Sequence, residues 1–291
     1  MTFMEKSSLK KVSVILPNYN YARYFCERMD EILHQSYPVS EIIVLDDAST
    51  DDSVEVIKQK IVEICQEHPD IKIKTEFNRK NSGNVFSQWQ KGVSLATGDY
   101  IWICELDDRA KSNFLENIMA GFESKRTILS YSNSKIIDDN DRIALKDSLR
   151  KAKDVFRKKH KFGKYIISGM IELNKNLAVY NSIPNVSAVV FRKISGIDNI
   201  LEQAKQYRLC GDWYFYIELA KRGNIAYTNK ILNYHRIHNN SVTNSIEYDE
   251  RLKEIVSIHN HVQTTTKLEK STVVRIRKME EHLAKNWGIS E

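Results

Sequence analysis

Apolar positions along the first hundred residues come in two alternating kinds: short runs, and stripes at helical spacing. The runs Lys11–Leu16, Glu41–Leu45, Ile71–Phe77 and Tyr100–Cys104 predict four strands. Glu41–Leu45 is continuously apolar rather than alternating, as a strand covered on both faces would be. Between the runs, Phe25, Met29, Ile32 and Leu33 share one helix face. Val54, Ile57, Ile61 and Ile64 mark a second helix. Val85, Phe86, Trp89, Val93 and Ala96 mark a third, closed by Gly98. Ser49, three residues ahead of Asp52, reads as the start of a capping box. This βαβαβαβ order predicts an α/β fold, a Rossmann-like, mostly parallel sheet with helices on both faces.

The later chain is less regular. Ile128–Ile137, Val186–Phe191, Ile225–Thr228 and Ile231–Ile237 predict further strands, and Asp212–Arg222 a helix. Helical patterns dominate from Ile246 onward, with eight acids against eight bases. In open α/β sheets, ligands bind at the carboxyl ends of the strands. Three polar clusters sit immediately after predicted strands: Asn18/Asn20, Asp46/Asp47 and Glu105/Asp107/Asp108. A parallel sheet would bring all three to one edge.

Composition narrows the classes. With 42% apolar and 28% charged residues, the chain is globular rather than disordered. No apolar stretch approaches the ~20 residues of a membrane-spanning helix. The four cysteines lack metal or redox spacing, and the first residues lack an apolar signal core, so the expected location is cytoplasmic. The net charge of +6 is local: residues 142–164 hold ten Lys/Arg and two acids, which leaves −2 for the remainder. That segment suggests a peripheral contact with an anionic membrane. Beyond Phe156 and Phe162 it lacks the interleaved aromatic residues of a nucleic-acid groove, so no nucleic acid is expected.

Dinucleotide-binding G-x-G-x-x-G, P-loop, G-x-S-x-G and H-E-x-x-H signatures are absent. What remains is acidic. Glu105, Asp107 and Asp108 repel one another if held close in a partly dry cleft. A hard divalent cation, Mg²⁺ or Mn²⁺, would relieve that repulsion and take substrate phosphate oxygens as further ligands. A solvated acidic turn beside a helix start is the plainer alternative.

Five blocks then carry a resemblance: PNYN at Pro17–Asn20, IIVLDDASTDDS at Ile42–Ser53, NSGN at Asn81–Asn84 with ATGDYIWICELDD at Ala96–Asp108, GDW at Gly211–Trp213, and YHRIHNNSVT at Tyr234–Thr243. In order and spacing they resemble family 2 glycosyltransferases of the GT-A fold, of the kind that build bacterial capsule or O-antigen polysaccharide. The resemblance implies an inverting transfer from a nucleotide-diphosphate sugar to a glycan or lipid-linked glycan. It places Pro17, Asn18, Tyr19, Asp46, Asp47, Asn81, Gly83 and Asp107 at the nucleotide. It gives the metal to Glu105, Asp107 and His238. Asp108, Trp213 and Arg236 fall near the diphosphate or acceptor, and Asp212 matches the general base. Glu105 stands where Asp is usual, and Gly211 replaces an acid that often precedes the base. The implied division is 1–108 for the nucleotide-sugar half, 109–245 for a catalytic and acceptor half with a smaller mixed sheet, and 246–291 for a helical extension.

Residue by residue, plainer roles compete. Asp212 begins a helix, where Asp is a common cap. Trp89, Trp102 and Trp213 suit a core. The loop Tyr180–Ser187 suits either an acceptor-facing position or a simple connector. Two other functions fit parts of the pattern. A sugar-nucleotide pyrophosphorylase would use a similar sheet and metal, but PNYNYA offers no glycine for its phosphate loop. A non-catalytic sugar-nucleotide-fold binding module would not need Asp47, Asp107, Asp212 and His238 together.

Overall fold

The computed structural model describes residues 9–145, 163–183, 185–237 and 247–289. Most of the basic 142–164 segment, and so the membrane contact assigned to it, lies outside the described residues, as does His238.

The four predicted strands form as β1 (Val12–Asn18), β2 (Glu41–Asp46), β3 (Lys72–Phe77) and β4 (Tyr100–Ile103). They pair in parallel in the order β3-β2-β1-β4. The continuous apolar runs have a structural cause. Ile15, Ile43, Ile101 and Ile103 point into one core, with Phe86, Trp89 and Val93 of helix α3 (Val85–Leu95). Val14, Ile42, Val44 and Trp102 point into the other, with Phe25, Met29 and Ile32 of α1 (Ala22–Leu33) and Ile57 of α2 (Ser53–Glu67). A strand buried on both faces has no polar side to show in its sequence.

The second half extends this same sheet rather than building a separate one. After the two-residue β5 (Arg109–Ala110) and helix α4 (Phe114–Met119) come β6 (Thr127–Ile137), β7 (Ile143–Leu145) and β8 (Lys164–Ser168). Helix α5 (Gly169–Glu172) then precedes β9 (Val189–Arg192), α6 (Ile197–Ala204), α7 (Gly211–Ala220) and β10 (Asn224–Arg236). β9 splices the halves, antiparallel to β4 on one side and to β6 on the other. Among the described residues, the result is one mixed, ten-stranded sheet. Two predicted runs, 225–228 and 231–237, are a single strand: register shifts against β6 between Thr228 and Asn233 take up the interruption. Val186–Ala188, predicted as strand, is a 3₁₀ turn that leads into β9.

Two long helices, α8 (Tyr248–Thr265) and α9 (Lys270–Trp287), form the helical C-terminus. Ile258, Val262 and Ile276 enter the same core as Trp213 and Phe215 of α7. Among the described residues, no helix is long and apolar enough to cross a membrane.

Candidate active site at the carboxyl ends of the strands

β1 and β2 end side by side, with Asn18 in register with Asp46. Buried Asn18 donates its side-chain amide to Asp46 Oδ2 at 2.6 Å. Ser49 does not cap α2, contrary to the capping-box expectation. Its hydroxyl donates to Asp46 Oδ2 (2.6 Å) and accepts from Asn18 Nδ2 and the Asn20 amide. Asp51 serves the helix start instead, accepting from the Ser53 amide at 3.0 Å. Between these groups, Ala48 holds φ +60°, a left-handed conformation costly for any residue with a Cβ.

Asp47 is 5% exposed and richly bonded. Its Oδ1 accepts from Asn78 Nδ2 (2.6 Å), Gln88 Nε2 (2.8 Å) and the Ser82 amide (3.0 Å). Its Oδ2 accepts from the Ser82 hydroxyl at 2.6 Å. The Asn81–Asn84 loop is thereby drawn over Asp47. Gly83 adopts φ +68°, and Asn84 caps α3 through the amides of Phe86 and Ser87. Tyr19 is exposed at the open side of the same edge.

The acidic loop after β4 is fixed from behind by two buried arginines. Arg28 Nε donates to the Glu105 carbonyl (3.1 Å), and Arg236 Nε to the Asp107 carbonyl (2.7 Å). Ser187 Oγ accepts from the Glu105 amide. Burial, then the Asp107, Asp108 and Asp212 carboxylates, push the Glu105 carboxyl well above its usual range. The Tyr21 phenol is raised by burial and by Asp107, Glu105 and Asp108 in turn. Tyr21 therefore faces this acidic patch.

Asp212 lies in the first turn of α7. Its Oδ2 accepts from Asn181 Nδ2 (2.9 Å) and its Oδ1 from the Trp213 amide (2.6 Å). Burial raises its carboxyl to about 6, against the opposing effect of those two bonds. Gly211 has a steric reason to lack a side chain. A Cβ there would lie 2.4 Å from the Phe86 ring and 2.7 Å from the Ala204 carbonyl oxygen. Gly211→Ala is expected to destabilise the fold by about 1–3 kcal/mol through overpacking. Urea denaturation checks this, and an unchanged midpoint would mean that Phe86 yields.

Three expected contact residues turn inward. Asp108 is buried, with its carboxylate accepting from Asn185 Nδ2 and the Arg236 amide, 2.9 Å each. The Arg236 guanidinium also donates to the Asp138 carbonyl and pairs with Asp141, 2.6 Å each. Trp213 is 4% exposed and donates its indole N–H to the Leu177 carbonyl at 2.7 Å. In all three, these polar atoms are matched inside the protein.

The donor chemistry of Glu105 and Asp107 suits a hard divalent cation, which would relieve the crowding that raises the Glu105 carboxyl. Among the described residues, no three His, Cys, Asp or Glu side chains converge on one point as a complete metal centre would. Tyr21, Ser82, Gln88, Arg28 and Asn181 are site residues that the sequence reading missed. Ser82 and Asn181 lie in segments the sequence marks, the Asn81–Asn84 block and the Tyr180–Ser187 loop.

The family model for Glycosyl transferase family 2 matches residues 13–177. The chain belongs to that family. An uncharacterized glycosyltransferase of Nostoc sp. is 35% identical over 133 residues, which is 45% of this chain and 39% of that protein. The match therefore spans about two fifths of that relative's length. Two solved structures share the fold. Staphylococcus aureus TarS 1–349, in complex with UDP-GlcNAc, has a TM-score of 0.67 at 18% identity, over 94% of this chain and 73% of that one. The mannosyltransferase PcManGT of Pyrobaculum calidifontis, in complex with GDP-Man and Mn²⁺, has a TM-score of 0.65 at 16% identity, over 97% and 73%. As a family 2 member, the chain has its Asp46–Asp47 pair, its Asn81–Asn84 loop and its Glu105–Asp108 loop all within the matched segment. Asp212 and the C-terminal helices lie beyond it.

Proposed function

We propose that this chain transfers a sugar from a nucleotide-diphosphate sugar to an acceptor hydroxyl, with inversion at the anomeric carbon. The observation that carries this reading is the gathering of Asp47, Glu105 and Asp212, from distant stretches of chain, at one end of one sheet. Pro17, Tyr19, Asp47, Asn81 and Gly83 would bind the nucleoside, with buried Asn18 and Asp46 bonded to each other beneath them. Asp47 would accept a hydrogen bond from the base on the side that Ser82 now fills.

Asp107 and Glu105, with His238, would hold Mn²⁺ or Mg²⁺, which when bound acts as a Lewis acid toward the departing diphosphate. Asp212 would take the proton of the acceptor hydroxyl as that oxygen attacks the anomeric carbon from the face opposite the diphosphate. A carboxyl held near 6 is a stronger base than an ordinary aspartate, yet still ionised at neutral pH. Asn181 fixes the Asp212 carboxylate from the Tyr180–Ser187 loop, which suits that side to the acceptor. A growing lipid-linked surface glycan is the acceptor class implied by the five sequence blocks.

Thermal shift tests the donor half. UDP and GDP are tried first, because the two structural neighbours hold nucleotides of those bases. One of them, only with Mn²⁺, is expected to stabilise the protein, by about 2.7 kcal/mol at a hundredfold excess over Kd. A full panel of nucleoside diphosphates with no metal-dependent shift would contradict the proposal.

A further inference from the structure

We propose that helix α8 braces the Asp212 helix from behind, with Glu254 and His259 as positioning residues for Asp212. The inference rests on the reading of Asp212 as the base. Its grounds lie wholly outside the segment matched by the family model.

Glu254 gathers three consecutive backbone amides. Its Oε1 accepts from Arg208 (2.7 Å), and its Oε2 from Leu209 and Cys210 (2.9 Å each). These residues immediately precede α7, whose first turn carries Asp212. Backbone N–H groups at a helix start have no partner within the helix, and a carboxylate is their strongest match. Here the carboxylate comes from another helix, so the position of α7 is tied to that of α8.

His259 supplies a second route. It is fully buried, and its ring meets Trp213 edge-on with centroids 5.5 Å apart. One ring nitrogen lies 3.2 Å from the Val179 carbonyl and the other 2.7 Å from Glu280 of α9. Val179 is two residues from Asn181, the amide that holds Asp212. Thus α8 grips the turn before Asp212, the residue after it, and the loop that bonds it. Further along α7 the ties are of another kind: Lys221 Nζ donates to Thr265 Oγ1 at 2.7 Å, and His261 meets Glu218 at 2.9 Å. These lie at the far end of the helix from Asp212.

A positioning role and a purely structural role differ in what they move. We compare Glu254→Ala and Glu254→Gln with Thr265→Val, which cuts an α7–α8 tie distant from the site, and with Asp212→Asn. The readouts are release of UDP from UDP-GlcNAc and of GDP from GDP-mannose with Mn²⁺, and hydrogen exchange at residues 208–214. Glu254→Ala is expected to lower kcat at least tenfold with the donor KM within about twofold, because small misplacements of a catalytic group are costly. It should also speed exchange at the 208–210 amides. Glu254→Gln, which keeps one acceptor oxygen, should fall between wild type and Ala. Thr265→Val should lower Tm without either effect. Equal kcat losses in Glu254→Ala and Thr265→Val, or unchanged exchange at 208–210, would overturn the brace. Inactive Asp212→Asn beside fully active Glu254→Ala would overturn the brace alone. Fully active Asp212→Asn would overturn the reading of the base itself. If neither donor is turned over, the exchange result decides.

Discussion

Asn in place of Asp212 is expected to slow sugar transfer by about 10²–10⁴-fold while leaving donor affinity nearly unchanged. Asn keeps the volume, and its single amide oxygen can still accept from the Trp213 backbone, so the first turn of α7 keeps that tie while the bond from Asn181 Nδ2 is lost. What it loses is the ability to take a proton. The pH profile gives an independent check. Burial raises the Asp212 carboxyl from 3.8 to about 6, so the wild-type rate should rise with pH through that value and then level. The same shift acts on stability with the opposite sign. Between 3.8 and about 6 the native state holds a proton that the unfolded chain releases, so this group's contribution falls as pH rises. Activity and stability thus oppose each other at one residue. Initial rates and urea midpoints across pH 4–8 measure both.

The second large effect is expected at Asp107. Asp107→Asn should reduce transfer by about 10²–10³-fold, the usual loss when a group that stabilises developing charge is removed. Metal-dependent nucleotide stabilisation should vanish with it. Folding stability should not fall. Asp107 is among the charges that push the Glu105 carboxyl up, so its neutralisation relieves repulsion in the apo protein. An unchanged or higher Tm with lost activity is the pattern of a residue kept for function. A clear drop in Tm would instead make Asp107 a structural residue. Rates and thermal melts of the purified variant, with and without Mn²⁺, separate the two.

The parts of the molecule legible in the sequence share a physical cause. β1, β2 and β4 are buried on both faces, so their apolar runs stand out, and polar residues where the strands end mark the edge where ligands bind. Parallel register then brought Asn18 beside Asp46 without any further information. The splice through β9 was not legible, because pairing between distant strands leaves no periodic trace. Nor was the inward turn of Asp108 and Arg236. A charged residue beside a motif looks the same whether it faces a ligand or a buried partner. Glu254 and His259 were hidden for a related reason. They sit in a C-terminal segment, 246–291, whose charges balance, and only the packing of α8 against α7 gives them their roles. Gly211 stands out in the sequence as a departure, but its cause, the Phe86 ring, lies 125 residues away in sequence.

The central claim is that Asp47, Asp107 and Asp212 rim one cleft that holds a nucleotide diphosphate. Anomalous diffraction from crystals soaked with Mn²⁺ and the stabilising nucleoside diphosphate tests this most directly. The account predicts a manganese peak bonded to Asp107, diphosphate oxygens on the same ion, the nucleoside base at Asp47, and Asp212 across the cleft. A nucleotide or manganese ion bound elsewhere, with the Asp107 carboxylate left bare, would contradict it.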